Sequence, residues 1–194
     1  MFRKAAQLFI AVFLVPGAAQ SAWAEKRVTL VICNSNYSLA QLDNPKHDAD
    51  DAAAALRRLQ FGIAEEEDLT TGKIDDAIDA FEKAAKNADV ALFFLSGHSV
   101  HIDKRGFIAP VKIKAESESS ALRELVAIQE VILRIENAAK MSVIVLDACR
   151  DSPLQERFRH IAVEKNRDLI PPKGLPLVAV MGSKKLVVYA DKTP

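Results

Sequence analysis

Residues 141–150, MSVIVLDACR, decide how this chain is read. Val143, Ile144, Val145 and Leu146 form an unbroken apolar run rich in β-branched residues. That is the pattern of a strand buried on both faces of a parallel sheet. The run stops abruptly at Asp147-Ala148-Cys149-Arg150. A second run, Val90-Ala91-Leu92-Phe93-Phe94-Leu95, stops just as abruptly at Ser96-Gly97-His98. Open α/β sheets bind ligands beyond the carboxyl ends of their strands. One strand therefore delivers a thiol to that edge and the other an imidazole. His98 precedes Cys149 by 51 positions. A lone cysteine at a strand end is usually a small buried hydrophobe, and a lone histidine is usually a satisfied core or surface residue. The two together, ending two separate apolar strands, are candidates for nucleophilic catalysis.

The 194 residues suffice for one domain with a real core. A composition of 49% apolar and 27% charged residues is that of a globular protein. With 26 basic and 26 acidic residues there is no cationic excess to draw nucleic acid or an anionic surface. Residues 1–24 read as a secretory signal peptide. Arg3 and Lys4 make the basic start, Leu8–Val15 the apolar stretch and Ala22-Trp23-Ala24 the cleavage site. The apolar stretch is too short to span a membrane. Removing the segment takes away Arg3 and Lys4 and no acid, leaving a net charge near −2 on a periplasmic or secreted protein. Cys33 and Cys149 are the only cysteines. An intervening strand would hold them roughly 10 Å apart, beyond disulfide reach.

From Lys26, KRVTLVIC is the first strand, and Asn34–Tyr37 a loop at the same carboxyl edge. Asn44 should cap an amphipathic helix over Pro45–Leu59, with Pro at its first position. Gly62–Leu69 is a weak strand signal. Thr70 or Thr71 should cap a second helix, whose stripe is Ile74, Ala77, Ile78, Phe81, Ala84 and Ala85. Val100–Val111 suggests a hairpin around Asp103–Gly106, followed by a polar loop over Lys112–Ser120. Ser120–Ala138 is helical with a break near Ala127. Beyond Cys149 comes a polar stretch with a short helix at Pro153–Ile161, a break at Pro171-Pro172 and a last short strand at Leu186–Tyr189. Strands alternating with helices imply an α/β fold with a mainly parallel sheet covered on both faces.

Four stretches, in order, resemble the caspase-like domain of peptidase family C14, close to bacterial metacaspases and orthocaspases. VTLVICNSNY is similar to the family's first strand and its G-N-S-x-Y continuation, and NPKHDADDAAAAL to N-P-x-N-D-A with its helix. ALFFLSGHSV is similar to the strand ending in G-H-G, and VIVLDACRDSP to L-D-A-C-R-x-N-P. The likeness runs from about Arg27 to Tyr189. The caspase signature also places its His about 50 residues before its Cys. The resemblance implies a caspase-like three-layer sandwich. It implies Cys149 as nucleophile, His98 as its base, the backbone N–H groups of Ser99 and Cys149 as oxyanion hole, and Asp48 and Asp147 as the acidic lining of a pocket for Arg or Lys. Ser99 and Cys33 stand where the family has Gly. Family domains continue into a further strand and helix, so residues 25–194 are expected to lack them.

The chemistry of these residue types agrees. The thiolate is the effective nucleophile, an imidazole beside it stabilises the thiolate and then protonates the leaving amine, and backbone donors hold the developing oxyanion. The expectation is a secreted cysteine endopeptidase with a protein or peptide substrate, no nucleic-acid partner and no membrane span. The alternative, from another class, is a catalytically silent caspase-like module that binds a protein or peptide partner. No cofactor is implied, and a Ca²⁺ requirement stays open. His98 and His101 fall on opposite faces of an extended segment, no zinc spacing is present, and there is no Gly-rich phosphate loop.

Overall fold

The computed structural model describes residues 25–39, 41–102, 105–114, 116–149, 177–182 and 186–189. The leader segment, the helix expected at 153–161 and the Pro pair at 171–172 lie outside the described residues. The strands are β1 (Arg27–Cys33), β2 (Gly62–Glu67), β3 (Ala88–Ile102), β4 (Arg105–Ile108), β5 (Val126–Ala127), β6 (Ala139–Cys149), β7 (Leu177–Gly182) and β8 (Leu186–Tyr189). The helices are α1 (Pro45–Arg58), α2 (Thr71–Ala85), α3 (Glu118–Glu124) and α4 (Ile128–Ala138).

The main sheet has the order β2-β1-β3-β6-β7-β8. β2, β1, β3 and β6 are mutually parallel, and β7 and β8 are added antiparallel. Side chains alternate across each strand and sort the core into two faces. On one face Leu30, Ile32, Ala91, Phe93, Leu95, Ile144 and Leu146 pack against the stripes of α2 and α4. On the other, Val31, Cys33, Phe94 and Val145 pack against Ala49, Ala53 and Leu56 of α1. Helix, sheet and helix make the three layers of a caspase-like α/β sandwich. Leu30, Ile32, Phe93, Leu95 and Ile144 are all but excluded from solvent. At about 1.5–3 kcal/mol for each fully buried large apolar side chain, the centre of the sheet holds the fold. β2 contributes little to the core, because most of its residues are exposed. Its Glu65, Glu66 and Glu67 give the sheet a charged edge. No helix among the described residues is long and apolar enough to cross a membrane.

Some details differ from the sequence-based expectation. Asn44 occupies the cap position of α1 but has helical backbone angles and makes no side-chain cap bond. Thr70 precedes α2 without a side-chain cap, while the Thr71 hydroxyl donates to Glu124 O at 2.7 Å and ties α2 to α3. β7 was not expected, although Leu177–Met181 is apolar throughout. The break near Ala127 is β5, which pairs with β4 between α3 and α4.

Candidate active site

β3 and β6 are neighbours in parallel register, and their last pairs are Ser96↔Asp147, Gly97↔Ala148 and His98↔Cys149. Positions 98 and 149 therefore lie opposite each other at the carboxyl end of the sheet. β3 does not stop at His98. It runs on to Ile102, and from Ser99 it pairs antiparallel with β4, beginning at Ser99↔Ile108. β1 has left β3 three residues before Ser99, at Cys33↔Ser96. His98 thus sits where β3 passes from one neighbour to the next.

The backbone bonds show how that gap is closed. Asn34 N–H donates to Ser96 O at 2.9 Å, and Ala109 N–H donates to His98 O at 3.1 Å. His98 N–H donates to the Tyr37 hydroxyl at 2.8 Å. That hydroxyl donates in turn to Ala109 O at 3.2 Å. Polar groups alternate along a strand, so the N–H of Ser99 faces β6. Ser99 is not among the residues with positive φ, so its side chain brings no backbone strain. Asn34, fully buried, accepts from Leu69 N–H at 2.9 Å through its side-chain oxygen. Gly97 is required by this packing, because a Cβ there would lie 2.6 Å from the Tyr37 hydroxyl and 3.2 Å from Asn34 Cβ. The Asp68 carboxylate fixes the loop, accepting from Ser35 N–H at 2.8 Å, from Asn36 N–H at 2.9 Å and from the Asn36 amide.

The His98 side chain is buried at 2% exposure. The Tyr37 ring lies against it, with centroids 4.4 Å apart and planes tilted by 55°. Around them a second, smaller core forms from Val100, Ile102, Phe107, Val111, Ile113 and Leu125. The sequence reading named Tyr37 in a motif but assigned it no role, since its partners lie far along the chain.

Asp147 is half-buried, two residues beyond Val145, which packs on the α1 face of the sheet. Asp48 is half-buried in the first turn of α1. The two carboxylates therefore belong to the same side of the sheet, and α1 starts from its carboxyl edge. Asp48 places negative charge near the amino terminus of α1. Among the described residues, no three His, Cys, Asp or Glu side chains converge to hold a metal ion.

Cys33 is separated from position 149 by β3, because β1, β3 and β6 are consecutive in the sheet. Two strand spacings amount to roughly 10 Å, too far for a disulfide. Burial first, and then the nearby Glu67, push the Cys33 thiol up to about 11, against a smaller pull from Lys46. The thiolate is the reactive form, and a raised value removes it at neutral pH. At pH 8 the ionised fraction of Cys33 is roughly one in a thousand, growing about tenfold per pH unit until pH 11. Cys149 should therefore take up nearly all the label when the protein is alkylated at pH 7–8. Peptide mass spectrometry reads the ratio, and preferential labelling of Cys33 would contradict this account.

Residues 26–190 match the family model described as Caspase domain, of peptidase family C14. No curated protein matches the chain.

Proposed function

We propose, from the premise that this chain belongs to the caspase-domain family of peptidase C14, that it is a secreted cysteine endopeptidase cutting after Arg or Lys. The observation that carries the proposal is the register pair His98↔Cys149 at the carboxyl ends of two adjacent parallel strands. In this reading His98 takes the proton of the Cys149 thiol. The thiolate adds to the scissile carbonyl carbon, and the N–H groups of Ser99 and Cys149 receive the charge that develops on its oxygen. The carbon–nitrogen bond then breaks as the imidazolium gives its proton to the leaving amine. A thioester to Cys149 remains. Water attacks it with the imidazole as base, releasing the new carboxylate and restoring the thiol. Asp48 and Asp147 supply the negative charge that selects a cationic side chain before the cut. Residues 1–24 serve as the export signal, removed at about Ala24.

The direct test is hydrolysis of fluorogenic peptides ending in Arg or Lys by the chain from Glu25 onward. The protein should release the fluorophore, and prior alkylation of Cys149 should abolish release. Absence of hydrolysis on a broad peptide library would refute the endopeptidase and leave the silent binding module.

A further inference from the structure

We propose that Tyr37 is the positioning residue of the His98 base, fixing both its backbone and its ring. The inference rests on the reading of His98 as base.

Three observations support it. First, the Tyr37 hydroxyl sits where β3 passes from β1 to β4. The last β1 pair is Cys33↔Ser96 and the first β4 pair is Ser99↔Ile108, and between them the His98 N–H donates to the hydroxyl at 2.8 Å. The hydroxyl is itself anchored on Ala109 O at 3.2 Å, so it joins the two sides of the gap. Second, the phenol ring lies against the imidazole at 4.4 Å and limits the rotamers open to it. Third, Tyr37 cannot drift. It is 5% exposed, its loop is pinned by Asp68, and its approach is possible only because Gly97 has no side chain. A base held in one orientation acts on the thiol without a search through rotamers, and misplacement by an ångström is enough to cost about a hundredfold in rate.

The hydroxyl and the ring are separable by substitution. Tyr37→Phe keeps the ring and removes the hydroxyl to which the His98 N–H donates. Tyr37→Leu removes both. Two readouts are needed on the chain from Glu25 onward: kcat and KM on an Arg-ending fluorogenic peptide, and the pH profile of Cys149 alkylation by iodoacetamide, with Cys33 labelling as a monitor of the fold. Tyr37→Phe should lower kcat about tenfold and Tyr37→Leu about a hundredfold, with KM within about twofold of wild type in both. The neutral-pH limb of Cys149 alkylation should fall in the same order while Cys33 stays slow. Unchanged kcat in both variants, or a loss carried by KM alone, overturns the proposal. If Cys33 labelling rises in Tyr37→Leu, its fold has loosened and Tyr37→Phe alone decides. If wild type hydrolyses no peptide, the endopeptidase reading has failed and alkylation alone decides. A Cys149 rate slowed by either variant then upholds positioning, and an unchanged rate ends it.

Discussion

Cys149→Ala and His98→Ala should each reduce kcat/KM on an Arg-ending peptide by at least about a thousandfold, and the double variant should lose no more than either alone. Groups that act as one unit show this lack of additivity, because removing either leaves the other with nothing to act on. The expectation follows from the paired positions of β3 and β6, which put the two residues opposite each other across a single strand spacing. His98 is buried against Tyr37, so its truncation opens a cavity, and part of any loss would reflect a weakened fold. His98→Gln, closer in volume, separates the two effects. It should melt near the wild type and still be inactive. Thermal melts with initial rates on the same preparations supply the check. A rate within about tenfold of wild type in any of these variants would remove the dyad.

Cleavage should favour Arg over Asp before the scissile bond by about a thousandfold, with Asp48 and Asp147 both needed for the preference. Both carboxylates lie on the α1 side of the sheet, one in the first turn of α1 and the other two residues before position 149. A guanidinium there gains charge-assisted bonds, with the option of a bidentate pair. A substrate carboxylate meets like charge and loses its water, so rejection adds to attraction. Asp48→Ala and Asp147→Ala should each lower the Arg rate more than the Asp rate and so compress the ratio. Two peptides differing only in that residue, assayed against wild type and both variants, measure it. An Arg preference that survives both substitutions, or equal rates on the two peptides with wild type, would rule the pocket out.

The parts of this architecture visible in the chain are those that local burial controls. The apolar runs of β3 and β6 and the stripe of α2 announce themselves because each residue's surroundings repeat with the period of its own element. The Gly, His, Asp and Cys closing those runs were visible for the same reason. What was not visible depends on partners remote in sequence. The hairpin expected over Val100–Val111 is there, with β4 pairing back on the end of β3, but no property of Ser99 announces that the strand runs unbroken through His98. Tyr37 meets His98 across 61 positions through a hydroxyl–amide bond, which leaves no periodic trace. Asn44 and Thr70 had the right chemistry for caps and make no cap bond. Thr71 instead bonds across to Glu124.

β3 belongs to two ladders, with β1 and β6 below His98 and with β4 beyond it. Mechanically it is a beam carried by two walls, with residue 98 at the join. Beyond His98 the beam is not a free end, since β4 pairs with β5 and Val100, Ile102 and Phe107 are buried in the second core. Residue 98 is where the beam passes from one ladder to the other, and position 149 faces it as the last pair of β6 with β3. Positions 98 and 149 thus share one sheet, and the chain at position 98 runs on into a second ladder.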